Sequence, residues 1–313
     1  MKKQIVSLML TMTALGFHPS QPVQACAGRG QVGYIDMNGK VIIAQQFASA
    51  RDFAEGLASV QVGDKWGYID RAGQIVIPPQ FDRAEQFSEG LAAIRIGKKW
   101  GYVDKTGKLA IKPRLEDFYA LPFSEGLTPV RVGKNKWRYI NKRGEVVLEP
   151  RVEVPGEFSE GLASVKIGDQ WGYIDKTGKV AIAAQFDFTG RFASGLALIK
   201  MGNKWGYIDK MGKVIISPQF DGAEDFSEGL AKVRIEGIWG YIDKTGKVVI
   251  PLQFVWAQNF SQGLAAVQIG ATYGYIDKTG KIVVQPQVEV NDIGNFSDGL
   301  APIWTNLTPG LRC

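Results

Sequence analysis

Acidic side chains, tryptophans and a pair of cysteines are the residues of this sequence whose types and spacing could do chemistry. An acid precedes a glycine at Glu55, Glu89, Glu125, Glu160 and Glu228, and Ser194, Gln262 and Asp298 hold the same relative place in other copies. Such a ring of carboxylates could bind cations, or two of them could act as acid and nucleophile on a glycoside. A second acidic series runs from Asp36 to Asp277 and could hold calcium. At Asp104, Asp175, Asp243 and Asp277 it reads Asp-Lys-Thr-Gly, which is also a phosphorylated-aspartate signature. A catalytic loop occurs once in a chain, whereas these acids recur beside glycine at regular intervals. Their expected roles are therefore structural: Asp bonds its own turn, and each Glu caps a turn or meets a neighbouring Lys.

Other active-site chemistries lack their residues. The single histidine, His18, lies in an N-terminal segment read as a leader, so the mature chain has none for Ser-His-Asp, Cys-His or His-metal arrangements. No Gly-x-x-x-x-Gly-Lys-Ser/Thr phosphate loop occurs, and the two cysteines, Cys26 and Cys313, are too far apart for a zinc knuckle. No cofactor and no metal site is expected. Six tryptophans (Trp66, Trp100, Trp137, Trp171, Trp205, Trp239) keep a common register, which points to packing between units before it points to a sugar-stacking surface. Trp256 and Trp304 stand outside that register and are the contact candidates.

Residues 1–25 read as an export signal. Lys2 and Lys3 lead, Ile5 to Phe17 is mostly apolar, and Val23-Gln24-Ala25 offers a cleavage site. The apolar stretch is too short for a membrane span, and no later segment approaches one. A secreted or cell-envelope location follows. In an oxidising compartment Cys26 and Cys313 are expected to form a disulfide. The competing readings are a lipid anchor on Cys26, which Gln24 disfavours, and free thiols. The net charge of +6 is dispersed among alternating acids and bases, which argues against nucleic acid.

Residues 26–313 form one array. Gly-Tyr-Ile/Val-Asp begins at Gly33, Gly67, Gly101, Gly172, Gly206, Gly240 and Gly274, with Arg138-Tyr139-Ile140-Asn141 in fourth place, so eight units of about 34 residues start near 33, 67, 101, 138, 172, 206, 240 and 274. A second marker, Phe-Ser-x-Gly-Leu in most copies, follows at Phe53, Phe87, Phe123, Phe158, Phe192, Phe226, Phe260 and Phe296. Each unit reads as three short strands. In Leu230–Ile235 the apolar residues alternate with Lys232 and Arg234. A Glu236-Gly237 turn leads to Trp239–Asp243, and an Asp-Lys-Thr-Gly hairpin leads to Lys247–Ile250. The triplets Val41–Ile43, Val214–Ile216 and Val248–Ile250 are apolar at every position, which predicts burial on both faces. Prolines at 78, 79, 113, 218, 251 and 286 are expected to end the third strand, and the segment beyond is a crossing loop or a short fourth strand.

A unit of this size cannot bury its own apolar face, so units must stack. The chain opens at a middle strand and ends with a spare first strand, Leu300–Trp304, which could pair with the opening hairpin. That favours a propeller-like closed ring over an open β-solenoid. Lys65-Trp-Gly-Tyr-Ile-Asp70, Lys204-Trp-Gly-Tyr-Ile-Asp209 and their sister copies resemble the WG (KWG) repeat of bacterial proteins across essentially the whole mature chain. Departures are Val32 and Tyr273 in place of Trp, Arg138 in place of Gly, and extra residues near Lys134–Lys136. The resemblance implies tandem β-rich repeats with a binding role and no established activity. The expected function is a non-enzymatic protein-interaction scaffold for an unknown protein partner, with glycan or cell-wall polymer binding as the alternative. Local function is expected where the repeat breaks.

Overall fold

The computed structural model describes residues 31–115, 120–132, 136–285, 290 and 292–305. Residues 1–25, expected to be a leader, lie outside the described residues, as do Cys26, Cys313, Lys134 and Pro286. The chain forms eight antiparallel sheets, one per repeat, arranged as the blades of a propeller. Blade three shows the pattern: Arg83–Ser88 is innermost, followed outward by Leu91–Ile96, Lys99–Asp104 and Leu109–Leu115. The segment after the prolines therefore supplies a fourth, inner strand. In blades four and eight, three strands are assigned.

Blade one closes the ring. Its outer two strands, Gln31–Asp36 and Val41–Phe47, come from the start of the chain, and its inner two, Asp292–Ile293 and Leu300–Thr305, come from the end. The spare strand pairs antiparallel with the opening one from Gln31↔Thr305 to Asp36↔Leu300. The closed ring expected from the sequence is thus formed.

The two sequence markers meet at every junction between blades. The tetrad Tyr of one blade stacks on the marker Phe of the next, from Tyr34–Phe53 round to Tyr275–Phe296, with ring centroids 4.5–4.9 Å apart. Each such Tyr also donates its hydroxyl to a carbonyl two residues before that Phe, as Tyr68 does to Glu85 at 2.8 Å and Tyr173 to Gly190 at 2.8 Å. The phenol is thereby buried with its polar tip satisfied. The core is correspondingly divided into clusters between blades. In one of them Leu57, Tyr68, Ile77 and Phe81 of blade two pack on Ala84, Phe87, Ala92 and Ile94 of blade three.

The tetrad Gly is a steric requirement. Between Trp66↔Phe81 and Tyr68↔Ile77 the outer strand carries extra residues and bulges directly over Gly67. A Cβ there would stand 2.5 Å from the Ile77 carbonyl oxygen, and one at Gly206 would stand 2.5 Å from that of Ile216. In blade four Arg138 replaces this Gly, and the assigned outer strand shrinks to Val146–Leu148.

Two expectations for the outer strand are corrected. The prolines do not end it: Ile75–Phe81 runs through Pro78 and Pro79, and Val214–Phe220 runs through Pro218. An edge strand tolerates proline because its outward N–H has no ladder partner to lose. Nor are the apolar triplets buried on both faces. Val248 and Val249 are 46% and 40% exposed, and only Ile250 inserts between blades. The outermost strand of a blade has a neighbour on one edge only, so just one residue of the triplet reaches the core.

Candidate functional site

The strand directions put different chemistry on the two faces of the ring. One face carries the inner turns (Glu-Gly) and the Asp-x-x-Gly hairpins. The opposite face carries the tryptophans, the second-to-third strand turns and the crossovers between blades.

On the turn face the aspartates bond their own hairpins. Asp104 Oδ1 accepts the N–H groups of Thr106 at 2.9 Å and Lys108 at 3.1 Å, and the Thr106 hydroxyl at 2.6 Å. The glutamates link blades. Glu55 accepts the Gly90 N–H at 3.1 Å and pairs with Lys105 at 3.0 Å, both in the next blade. Glu89, Glu125, Glu160 and Glu228 repeat this with Gly126, Gly161, Gly195 and Gly263 and with Lys142, Lys176, Lys210 and Lys278. Gln262 accepts the Gly299 N–H at 2.8 Å, and Asp298 Oδ2 joins blade one to blade two by accepting the Gly56 N–H at 2.7 Å. The receiving turn has two successive residues at positive φ, such as Glu89 (54°) and Gly90 (84°), as a type I′ turn requires. Partial burial works against the charge of Glu160. The bonds from Lys210, Gly195 and Ser194 outweigh it and hold the carboxyl below its usual range. The acids expected to cap turns or meet neighbouring lysines thus link successive blades in a girdle, through the turn and the lysine of the following blade.

Toward the axis, the residues just before each marker Phe form a second polar ring. Burial pushes Asp52 and Asp225 up to about 6, against the lowering effect of Arg51 and Arg191 respectively. Arg51 pairs with Glu85 at 2.8 Å, and Arg191 with Asp225 at 3.4 Å. Among the described residues, no group of three or more His, Cys, Asp or Glu is placed to hold a metal ion.

On the opposite face most indoles are already covered. Trp100 is buried, at 2% exposure. Arg51 lies over Trp66, Lys200 over Trp205, and both Lys232 and Arg234 over Trp239, 4.8–5.8 Å from the ring centroids. Phe188, itself 39% exposed, stands between Trp171 and Trp205 with centroids 5.6 and 5.5 Å away. Trp256 holds the repeat position of Phe188, four residues before the marker Phe, and meets Tyr273 edge-on at 5.5 Å. Trp304 pairs directly with Val32, the residue that replaces the register indole in blade one. In other blades that cross-strand place holds a residue such as Lys200, opposite Trp205. Blade one therefore has its indole on the neighbouring strand. Both tryptophans outside the main register are half-buried and pack against core clusters. Counting from the marker Phe instead of the tetrad exposes both relationships.

Trp137 differs from the other register tryptophans. Its Nε1 donates to the Glu153 carbonyl at 2.8 Å, a bond to the outer segment of its own blade, and Arg131 stands directly opposite it on the neighbouring strand. It lines a cleft of about 610 Å³ with Lys136, Glu149, Pro150, Arg151 and Ile167. The opening follows from the Gly-to-Arg138 change: the outer segment leaves the sheet after Leu148, and Arg138 Nε holds it through Glu149 at 2.8 Å. A smaller cleft of about 430 Å³ lies beside Trp66, lined by Ser49, Arg51, Gln61, Asp82 and Arg83. Both volumes fall in the range of ligand clefts, about 300–1,000 Å³.

The same arrangement of blades recurs in solved structures. BamB from Moraxella catarrhalis superposes with a TM-score of 0.55 at 11% identity, over 88% of this chain and 99% of that one. Apo AztD from Citrobacter koseri gives 0.54 at 10%, over 88% and 98%. Sqt1 from Saccharomyces cerevisiae gives 0.51 at 11%, over 88% and 99%. At these identities the likeness concerns the fold alone. No curated protein sequence matches the chain. The WG containing repeat matches eight times in succession, at residues 33–66, 66–100, 100–137, 137–171, 171–205, 205–237, 239–272 and 273–303. The eight matches follow one another almost without a break, each running from the outer strands of one blade into the inner strands of the next, and together they span nearly all the described residues, so the chain belongs to the family of WG repeat proteins.

Proposed function

We propose that this chain is a non-enzymatic protein-interaction scaffold, exported from the cytoplasm, whose partner seats on the tryptophan face at the blade-four cleft. The observation that carries this reading is the cleft of about 610 Å³ opened by the broken repeat, with the half-buried indole of Trp137 in its wall. A large aromatic flanked by Arg and Lys in a concave site is the composition of an interface hot spot. Export is supported by the leader at residues 1–25. A Cys26–Cys313 disulfide is supported by the pairing of Gln31 with Thr305, which brings the strands next to both cysteines together. Among the described residues no helix is long and apolar enough to cross a membrane.

Glycan or cell-wall polymer binding is the second reading, supported by the strip in which exposed Phe188 lies between half-buried Trp171 and Trp205. Cations over Trp66, Trp205 and Trp239 weigh against it, because sugar stacking needs free ring faces. A photo-crosslinking residue in place of Arg151, with one in place of Val249 on the outer rim as control, separates the two. The scaffold reading expects one envelope protein to be captured from position 151 only. It is contradicted if 151 captures nothing while peptidoglycan fragments change the tryptophan emission saturably.

A further inference from the structure

The turn girdle is interrupted once, between blades six and seven. Every other junction supplies an acceptor to the next blade's Gly N–H, but blade six has Ser194 there and makes no such bond to Gly229 among the described residues. The preceding Ser is also replaced. Ser88, Ser124, Ser159, Ser227 and Ser261 each donate a hydroxyl to the next blade's Phe carbonyl at 2.6–2.7 Å, whereas blade six has Ala193, as blade two has Ala54; blade six alone lacks both this Ser and the acceptor. The cation of the pair is nevertheless kept. Lys244 holds the repeat position of Lys105, Lys142, Lys176, Lys210 and Lys278, is exposed, and has no ion-pair partner among the described residues. The neighbouring charges are engaged elsewhere: Asp243 bonds Thr245 and Lys247, and Glu228 is held by Gly263 and Lys278. One other junction lacks an acid, at Gln262, and there the lysine position is Met37, so acid and cation are absent together. Lys244 breaks that rule.

We propose that the blade six–seven junction is a carboxylate-binding notch, formed by the N–H groups of Glu228 and Gly229 and the ammonium of Lys244, for a side-chain or terminal carboxylate of a partner polypeptide. The five complete junctions give its geometry: carboxylate oxygens lie 2.9–3.2 Å from the Gly nitrogen and 2.9–3.2 Å from the Lys Nζ. Two convergent N–H groups with positive φ make an anion-receiving concavity, and the ammonium adds charge. Five copies of the motif hold a carboxylate from within the chain; this one leaves the place for a carboxylate from outside. The notch lies on the face opposite Trp137 and does not depend on the cleft's role.

The test is a titration of glycine-¹⁵N-labelled full-length protein with acetate, with acetyl-Gly-Glu-Gly-amide and with inorganic phosphate, followed by amide NMR. The Gly229 amide is expected to shift saturably with both carboxylates, while Gly195, already occupied by Glu160, stays still. Ser194→Glu is expected to move Gly229 to the bound position without ligand and to abolish the response. Lys244→Met is expected to weaken binding about fivefold, the scale of one exposed ion pair. A silent Gly229, a response unchanged in Ser194→Glu, or tighter binding of phosphate than of either carboxylate would overturn the proposal. If Ser194→Glu fails to fold, the Lys244→Met titration and the Gly195 reference decide it.

Discussion

Replacing Gly206 with Ala puts the steric account of the repeat under direct strain. The added Cβ would lie 2.5 Å from the Ile216 carbonyl oxygen, 2.7 Å from the Pro218 nitrogen and 2.9 Å from the Pro218 Cα. All three are backbone atoms of an outer strand held by Trp205↔Phe220 and Tyr207↔Ile216, so the bulge must lift and loosen Ile216 and Phe220 in the junction core. Overpacking of this kind costs about 3 kcal/mol, which at roughly 2 °C per kcal/mol for a chain this large lowers Tm by about 6 °C. Gly56→Ala is the control. Its backbone has φ of 88° but its Cβ meets nothing within 4 Å, so only the left-handed conformation is penalised, at about 1–2 kcal/mol. Arg138→Ala in blade four is a second control, because that position already carries a side chain; its expected cost is about 1 kcal/mol or less, from loss of the exposed pair with Glu149. Scanning calorimetry and urea melts of the three variants give the order. A Gly206→Ala loss no larger than that of Gly56→Ala, or an Arg138→Ala loss as large as that of Gly206→Ala, would refute the reasoning.

Other expectations concern single bonds and charge. Tyr173→Phe removes the hydroxyl bonded to the Gly190 carbonyl and leaves that acceptor without its partner, for a loss of about 1–2 kcal/mol in a urea melt with the ring stack intact. Asp298→Ala removes the one acid that joins blade one to Gly56, and the expected result is faster exchange of the Gly56 amide and easier opening of blade one relative to blade six. The pH dependence has two limbs. Asp52 and Asp225 have folded-state values raised to about 6, so their ionisation opposes the fold, and stability falls as pH rises from about 4 through 6. Glu55, Glu160 and Glu228 are lowered, so their contribution is lost as pH falls through and below the ordinary carboxylate range. Tm is therefore expected to peak at about pH 4, where the two limbs meet, and an Asp52→Asn/Asp225→Asn double variant should flatten the decline toward neutrality.

The repeat period, the strand order and the closing role of Leu300–Trp304 were legible because each is a register relation, and register can be read from spacing alone. The turn role of the aspartates was legible for the same reason: Asp two and four residues before an N–H is a local geometry. Three features depend on neighbours across blades and left no local trace. The outer triplets look like buried strands because sequence reports apolarity and cannot say that Val248 and Val249 lie on an edge with no sheet beyond them. Pro78 and Pro218 look like strand ends because their harmlessness depends on that same missing neighbour. The Glu series was expected to cap turns or meet neighbouring lysines, and the lysine pairs are formed. The turns it bonds are those of the following blade, about one repeat away in sequence. Trp256 and Trp304 looked irregular only against the tetrad; counted from the marker Phe, each falls into a place used by other blades. The place of the Trp137 cleft was legible, since Arg138 marks the break in the repeat, but its shape and the cleft at Trp66 were not, since a cleft is the space left when one strand departs from another.

Closure of the ring by its two chain ends is the claim on which the architecture, the girdle and the assignment of blade one all rest. It is tested most directly by placing cysteines at Gln31 and Thr305 in a background with Cys26→Ser and Cys313→Ser. Directly paired residues of an antiparallel ladder have Cα atoms about 4.5–5.5 Å apart, within reach of a disulfide. Mild oxidation of the folded, dilute protein should consume both thiols within one chain, giving a monomer of higher mobility on non-reducing gels. Two thiols that stay freely titratable in the folded protein, or that link only between chains, would contradict the closed ring.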